Sequence, residues 1–209
     1  MAFEADTIKV FLDELASDSP APGGGSVAAL GGALGAALVS MVSNLTIGKE
    51  KYRENWAAME EIAQESERLR GEFVRLMNED TESFNVFMSA MKMPRDTDEQ
   101  KAARGSALAD AAKGATEVPL STLEKCAEMA CLASRAVSLG NPNTASDAGS
   151  AVLLAEAAGK GAAYNVRINL PGIKDEIYAA EARRRMASAL DRIAKSSGEA
   201  ERSMDKILG

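Results

Sequence analysis

The chain has 209 residues and a formal net charge of -7, from 24 Lys and Arg against 31 Asp and Glu, and it contains no histidine. Its basic residues are interspersed with an excess of acids, so no extended basic face is expected to displace counterions from DNA or RNA, which argues against a nucleic-acid partner. The missing histidine removes the commonest acid–base group at neutral pH, the histidine form of the catalytic triad and most zinc or non-haem iron sites.

Hydrophobic residues make up 46% and charged residues 26%, ordinary values for a folded globular protein, and the length fits one domain spanning 1–209. Aromatics are only 4%, and nowhere do β-branched residues alternate with polar ones. The expected class is therefore all-α. The opening MAFEADTIKVF lacks a basic stretch followed by an apolar one, so no secretory signal is expected and the reading is cytoplasmic. Cys126 and Cys131 are two cysteines without a zinc framework, and both read as reduced packing residues.

In chain order, a first helix is expected from about Asp6 to Ala16, burying Ile8, Phe11, Leu12 and Leu15. "SDSPAPGGG" ends it, and Ser26 reads as the N-cap of a second helix reaching about Thr46. That helix is apolar all round, with small residues at Gly24, Ala28, Gly32, Ala36 and Ser40. It has the length of a membrane span. However, glycine and alanine dominate it, and Ser40, Ser43, Asn44 and Thr46 fill its last turns, which favours burial in the middle of a bundle.

From Glu50 to about Met91 runs an amphipathic pattern, with one break allowed near Gly71. Its stripe reads Ile62, Ser66, Leu69, Phe73, Leu76, Asp80, Phe84, Phe87 and Met91. A further helix is expected from Asp96 to Thr116, another opened by Pro119 in its first turn and ending at Gly140, and a third from Ala145 to about Asn165. Asp175 to Leu208 forms the last. Together they imply a single bundle of six to eight antiparallel helices around small-residue-rich central helices.

Four stretches could carry chemistry. "PGGGSVAAL" has neither the Lys-Ser/Thr of a Walker loop nor the preceding strand of a Rossmann turn. Pro22, Gly23, Gly24, Gly25 and Ser26 then form either an anion subsite at a helix N-terminus or simply a cap that permits close packing. Asp80 is a carboxylate on an apolar stripe, which suggests a polar pocket inside the bundle; the alternative is a helix cap after a break at Asn78. Asp147 sits in the first turn of a helix, where the dipole alone could account for it. "NLTIGKEKY" gathers Asn44, Lys49 and Tyr52, and the last two can serve as acid and base without histidine or lie on the surface.

"SPAPGGGSVAALGGALGAALVSMVSNLTIGKEKY" resembles the signature of the cyclodeaminase/cyclohydrolase family, and the likeness continues through "DTESFNVFMSAMKMP", "GNPNTASDAGSA" and "AAYNVRINL". The resemblance implies a helical domain, a dimer and a tetrahydrofolate substrate, with or without a polyglutamate tail. It also implies no tightly bound cofactor and no metal. The activity would be hydrolysis of 5,10-methenyltetrahydrofolate to 10-formyltetrahydrofolate, or deamination of 5-formiminotetrahydrofolate with loss of ammonia. Under it, Asp147 or Asp80 is the base or electrostatic partner, Lys49 and Tyr52 assist proton transfer, and Asn44, Asn143 and Asn165 bind pterin or adduct. The glycine turn would receive a folate carboxylate. The competing classes are a helical folate-binding or assembly module without catalysis, and a metal-dependent hydrolase, which the missing ligands disfavour.

Overall fold

Among the described residues, 7–209, the computed structural model contains six α-helices and no strand. They are α1 (Ile8–Leu15), α2 (Gly24–Asn44), α3 (Trp56–Met91), α4 (Asp98–Leu139), α5 (Ala145–Asn169) and α6 (Glu176–Leu208). The expected start of the first helix at Asp6 lies outside the described residues.

Helix α2 is long and apolar enough to cross a membrane. Here it is the central element, packed against α3, α4 and α5, while α4 in turn packs on α6. Small residues are what let its neighbours in. A Cβ on Gly32 would fall 2.5 Å from the Phe73 ring, so only glycine allows that fully buried phenylalanine to cross α2. Against α5 the contacts run antiparallel, Gly24 beside Asn165, Gly31 beside Ala158 and Gly35 beside Leu154. Val39, Val42, Met59, Ile62, Leu69, Leu123 and Met129 complete the core, each worth about 1.5–3 kcal/mol when fully buried. Arg185 ties α6 to α4 through Glu117 and Glu124, both at 2.8 Å.

Several expected boundaries move. Helix α3 passes Gly71 without a break, because that glycine is exposed and touches nothing. Helix α4 is one 42-residue helix running through the buried Pro119, where two were expected. Proline has no N–H to give the carbonyl four residues earlier. Asn169 supplies the substitute, its Nδ2 donating to the Ala115 oxygen at 2.7 Å. At its start, α4 carries a reciprocal cap between Thr97 and Gln100. Gly23, not Ser26, is the N-cap of α2, and α5 continues to Asn169.

Two expected burials also fail. On α1 only Phe11 is buried, with Ile8 81% and Leu12 53% exposed. Cys126 is buried but Cys131 is exposed. An apolar face remains uncovered across α2 and α5: Val27, Leu34 and Met41 on the first with Leu45 just past its end, and Leu153, Tyr164 and Ile168 on the second.

Candidate functional site

A cavity of about 420 Å³ opens at the N-terminal end of α2. The turn before α2 forms one wall with Pro20, Ala21 and the three glycines, and α3 contributes Asp80, Ser83, Phe84 and Phe87. Ala112 and Ala115 of α4 and Asn165, Ile168 and Asn169 of α5 close the other side. Pro22 is buried within the turn itself, joined to Ala21 by a cis peptide bond.

Among the described residues, Asp80 is the one ionisable group lining this cavity. No break at Asn78 makes it a cap; it lies in the middle of α3. Its carboxylate accepts the Ser26 hydroxyl at 2.9 Å and the Ser26 backbone N–H. Close approach is possible because residue 25 is glycine, for a Cβ there would stand 2.1 Å from Oδ1. The positive end of α2 thus already holds an anion, the protein's own, where a folate carboxylate was expected. Burial raises the Asp80 pKa above its ordinary value, and the two Ser26 bonds oppose this without cancelling it.

The amides are oriented too. Asn165 Nδ2 donates to the Gly161 carbonyl at 3.0 Å and Asn169 Nδ2 to the Ala115 carbonyl at 2.7 Å. Since a carbonyl only accepts, each amide must turn its NH₂ that way, leaving its Oδ1 as the acceptor. The cavity therefore offers a carboxylate and two amide oxygens among apolar walls, with no Lys or Arg among the described residues that line it. Such a site is complementary to a flat, partly apolar ligand that is cationic and rich in N–H donors.

The remaining expected residues lie elsewhere. Asn44 ends the 21-residue α2, about 30 Å from its start at 1.5 Å per residue. Near it, Tyr52 donates its hydroxyl to Asn141 Oδ1 at 3.0 Å, and the same oxygen takes the Asn143 N–H at 3.1 Å. The buried Asn141 in turn donates its N–H to Thr46 Oγ1 at 2.9 Å. Lys49 and Asn143 are exposed, and Asp147 is half-buried in the first turn of α5. The structure thus unites Gly23, Gly24, Gly25, Ser26, Asp80 and Asn165, and leaves Asn44, Lys49, Tyr52, Asn143 and Asp147 at the opposite end of the bundle. Among the described residues no group of three or more His, Cys, Asp or Glu could hold a metal ion.

Sequence reasoning missed Phe84, Phe87 and Asn169 as site residues. The two phenylalanines read as core, although their place one and two turns beyond Asp80 puts them beside it. Asn169 follows Asn165 by four, the spacing that shares a helix face.

The family model described as formiminotransferase-cyclodeaminase matches residues 7–188. The methenyltetrahydrofolate cyclohydrolase of Methylorubrum extorquens is 48% identical over 176 residues, covering 84% of this chain and 85% of that protein. The formimidoyltransferase-cyclodeaminase of Sus scrofa is 34% identical over 183 residues, 88% of this chain but only 34% of that longer protein. The crystal structure of formiminotetrahydrofolate cyclodeaminase from Thermotoga maritima superposes with a TM-score of 0.90 at 29% identity, covering 99% of each chain.

Proposed function

The chain belongs to the formiminotransferase-cyclodeaminase family, and from that premise we propose that it hydrolyses 5,10-methenyltetrahydrofolate to 10-formyltetrahydrofolate. One observation carries the reading: a half-buried Asp80 carboxylate, held by Ser26, in a cavity otherwise lined by acceptors and aromatic walls. In the substrate, one carbon bridges N5 and N10 as a cationic amidinium. Water adds to that carbon, and loss of a proton gives a neutral tetrahedral adduct. The bond from carbon to N5 then breaks as the adduct's hydroxyl gives up its proton and N5 takes one, and the carbon stays on N10 as the formyl group.

Asp80 has two tasks in this sequence. Its charge stabilises the amidinium, and its carboxylate accepts the proton that the attacking water releases. A pKa raised by burial makes it a stronger base than an exposed aspartate. The Asn165 and Asn169 oxygens accept N–H donors of the pterin, and Phe84 and Phe87 cover its ring. The reaction needs no tightly bound cofactor, and the free thiols suit the cytoplasm, where we place it.

Mixing the purified protein with 5,10-methenyltetrahydrofolate and following the loss of its near-ultraviolet absorbance tests this, with decay faster than the spontaneous rate expected. The second reading, favoured by the likeness to the Thermotoga maritima enzyme, is deamination of 5-formiminotetrahydrofolate, in which N10 attacks the formimino carbon and ammonia leaves. Offering that substrate separates the two. Folate binding without turnover of either would leave a binding module.

We also propose a homodimer joined through the uncovered face of α2 and α5, since an apolar patch of this extent is a contact surface in soluble proteins. From Leu34 onward the exposed Leu34, Met41 and Leu45 and the half-buried Leu38 recur every three or four positions, the spacing by which two helices interlock. If the two α2 helices run antiparallel, Lys49, Tyr52 and Asp147 of one copy lie beside the partner's cavity.

A further inference from the structure

The cavity does not end at Phe87. A second groove of about 270 Å³ continues from it, sharing Phe87, Ala112 and Gly172, and its own walls are Met91, Leu108, Ala109 and Gly105. Along α3 the stripe Asp80, Phe84, Phe87, Met91 follows one helix face from the first chamber into the second. From Asp80 to Met91 this is about 16 Å at 1.5 Å per residue. Among the described residues no acid lines the groove, and Lys174 stands on its rim.

A second cation belongs to the same end. Arg104 lies on the α4 face that carries Leu108 and Ala112, at intervals of four. Among the described residues it has no carboxylate partner. One N–H of Nη2 goes to the Met91 carbonyl at 3.2 Å, and its Nε is buried without a hydrogen-bond acceptor. Among the described residues its Nη1 makes no hydrogen bond, so the guanidinium keeps donors and charge for an anionic ligand. Lys174, too, stands free of the acid beside it in sequence, because Asp175 is engaged by Lys113 at 2.8 Å. The protein carries an excess of acids, so an apolar groove whose described lining holds no acid, with two cations near its end that have no acid partner among the described residues, is a local exception.

We propose that this groove is a subsite for the p-aminobenzoylglutamate arm of the folate, its apolar walls holding the aromatic ring and Arg104 and Lys174 receiving the glutamate carboxylates. The proposal rests on the reading of the first chamber as the pterin site. Charge polarity along the groove then fixes the direction of the ligand: the cationic one-carbon centre at Asp80, the anionic tail about 16 Å away at Met91 and Arg104. Additional glutamates would extend from Lys174 into solvent.

The test compares 5,10-methenyltetrahydrofolate with a truncated methenyltetrahydropterin that keeps the N10-phenyl ring and lacks the glutamate. In Arg104→Gln, Lys174→Gln and the double variant, KM for the full substrate should rise, by at least tenfold in the double variant, with kcat within about twofold. KM for the truncated substrate should not move. Equal losses on both substrates, or no loss on either, overturn the subsite. Calorimetric binding of 5,10-methenyltetrahydrofolate to the same variants separates this from a failure of the functional reading. Binding weakened in the variants without turnover in the parent keeps the subsite and discards the hydrolase; unchanged binding discards the subsite.

Discussion

The carboxylate of Asp80 rests on the backbone of Gly25 so closely that a methyl group at residue 25 would lie 2.1 Å from Oδ1. The two residues are 55 positions apart, and one dictates the other's identity. Gly25→Ala must displace the carboxylate from the start of α2 and break its bond to Ser26. We expect kcat to fall about a hundredfold, the scale of a lost general base, in a protein that remains folded by circular dichroism. Gly24→Ala is the control, because its Cβ would meet only Asn165, at 3.4 Å, and should cost less than about tenfold.

Asp80→Asn should lower turnover by about a hundredfold or more while raising thermal stability at neutral pH. The two effects have one cause, the burial that raises the Asp80 pKa. A carboxyl whose folded pKa is raised favours the folded state fully below its unfolded pKa, and that contribution is lost as pH rises through the folded pKa. At pH 7 the native protein therefore carries the cost of a buried charge that the amide lacks. Melting curves should separate by a few degrees at pH 7 and converge near pH 3. Because the ionised form is the base, activity of the native enzyme should decline on the acid side at a pH above the ordinary value for an aspartate.

Much of this was legible in the sequence, for identifiable reasons. The helical class follows from composition, and the central place of α2 from its all-round apolar surface and small residues. Asp80 stood out because a carboxylate on a buried stripe needs a partner, though nothing local revealed that Ser26 and Gly25 would provide the setting. Pro119 misled because its exception depends on Asn169, a side chain 50 residues away that satisfies the orphaned carbonyl. Ile8 and Leu12 misled because amphipathic spacing tells which face is apolar and not whether the same chain covers it. Lys49, Tyr52 and Asp147 were grouped with the glycine turn by chemistry, while the length of α2 separates them from it.

The bond from Asn169 to the Ala115 carbonyl makes a prediction independent of catalysis. Asn169→Leu should cost about 1–2 kcal/mol in urea unfolding, the price of a partly buried carbonyl left without a donor. In a Pro119→Ala background the backbone N–H returns to Ala115, and the same substitution should cost less than about 0.5 kcal/mol. A double-mutant cycle reads the coupling directly. Equal costs in both backgrounds would show that Asn169 stabilises the helix in some other way.

The exposed α2 face can be tested by charge and then by mixing. Leu34, 51% exposed at the middle of that face, should carry the dimer contact, so Leu34→Glu should give a monomer by sedimentation. If antiparallel α2 helices bring Tyr52 of one copy to the partner's cavity, Asp80→Asn and Tyr52→Phe subunits are each inactive alone but complementary together. A mixed dimer then has one site with both lesions and one with neither. At equal mixing, half the dimers are hybrids and half their sites are intact, so about a quarter of native activity should return on subunit exchange. No recovery would mean that each site is completed within a single chain, and full activity of Tyr52→Phe alone would remove that end of the bundle from the chemistry.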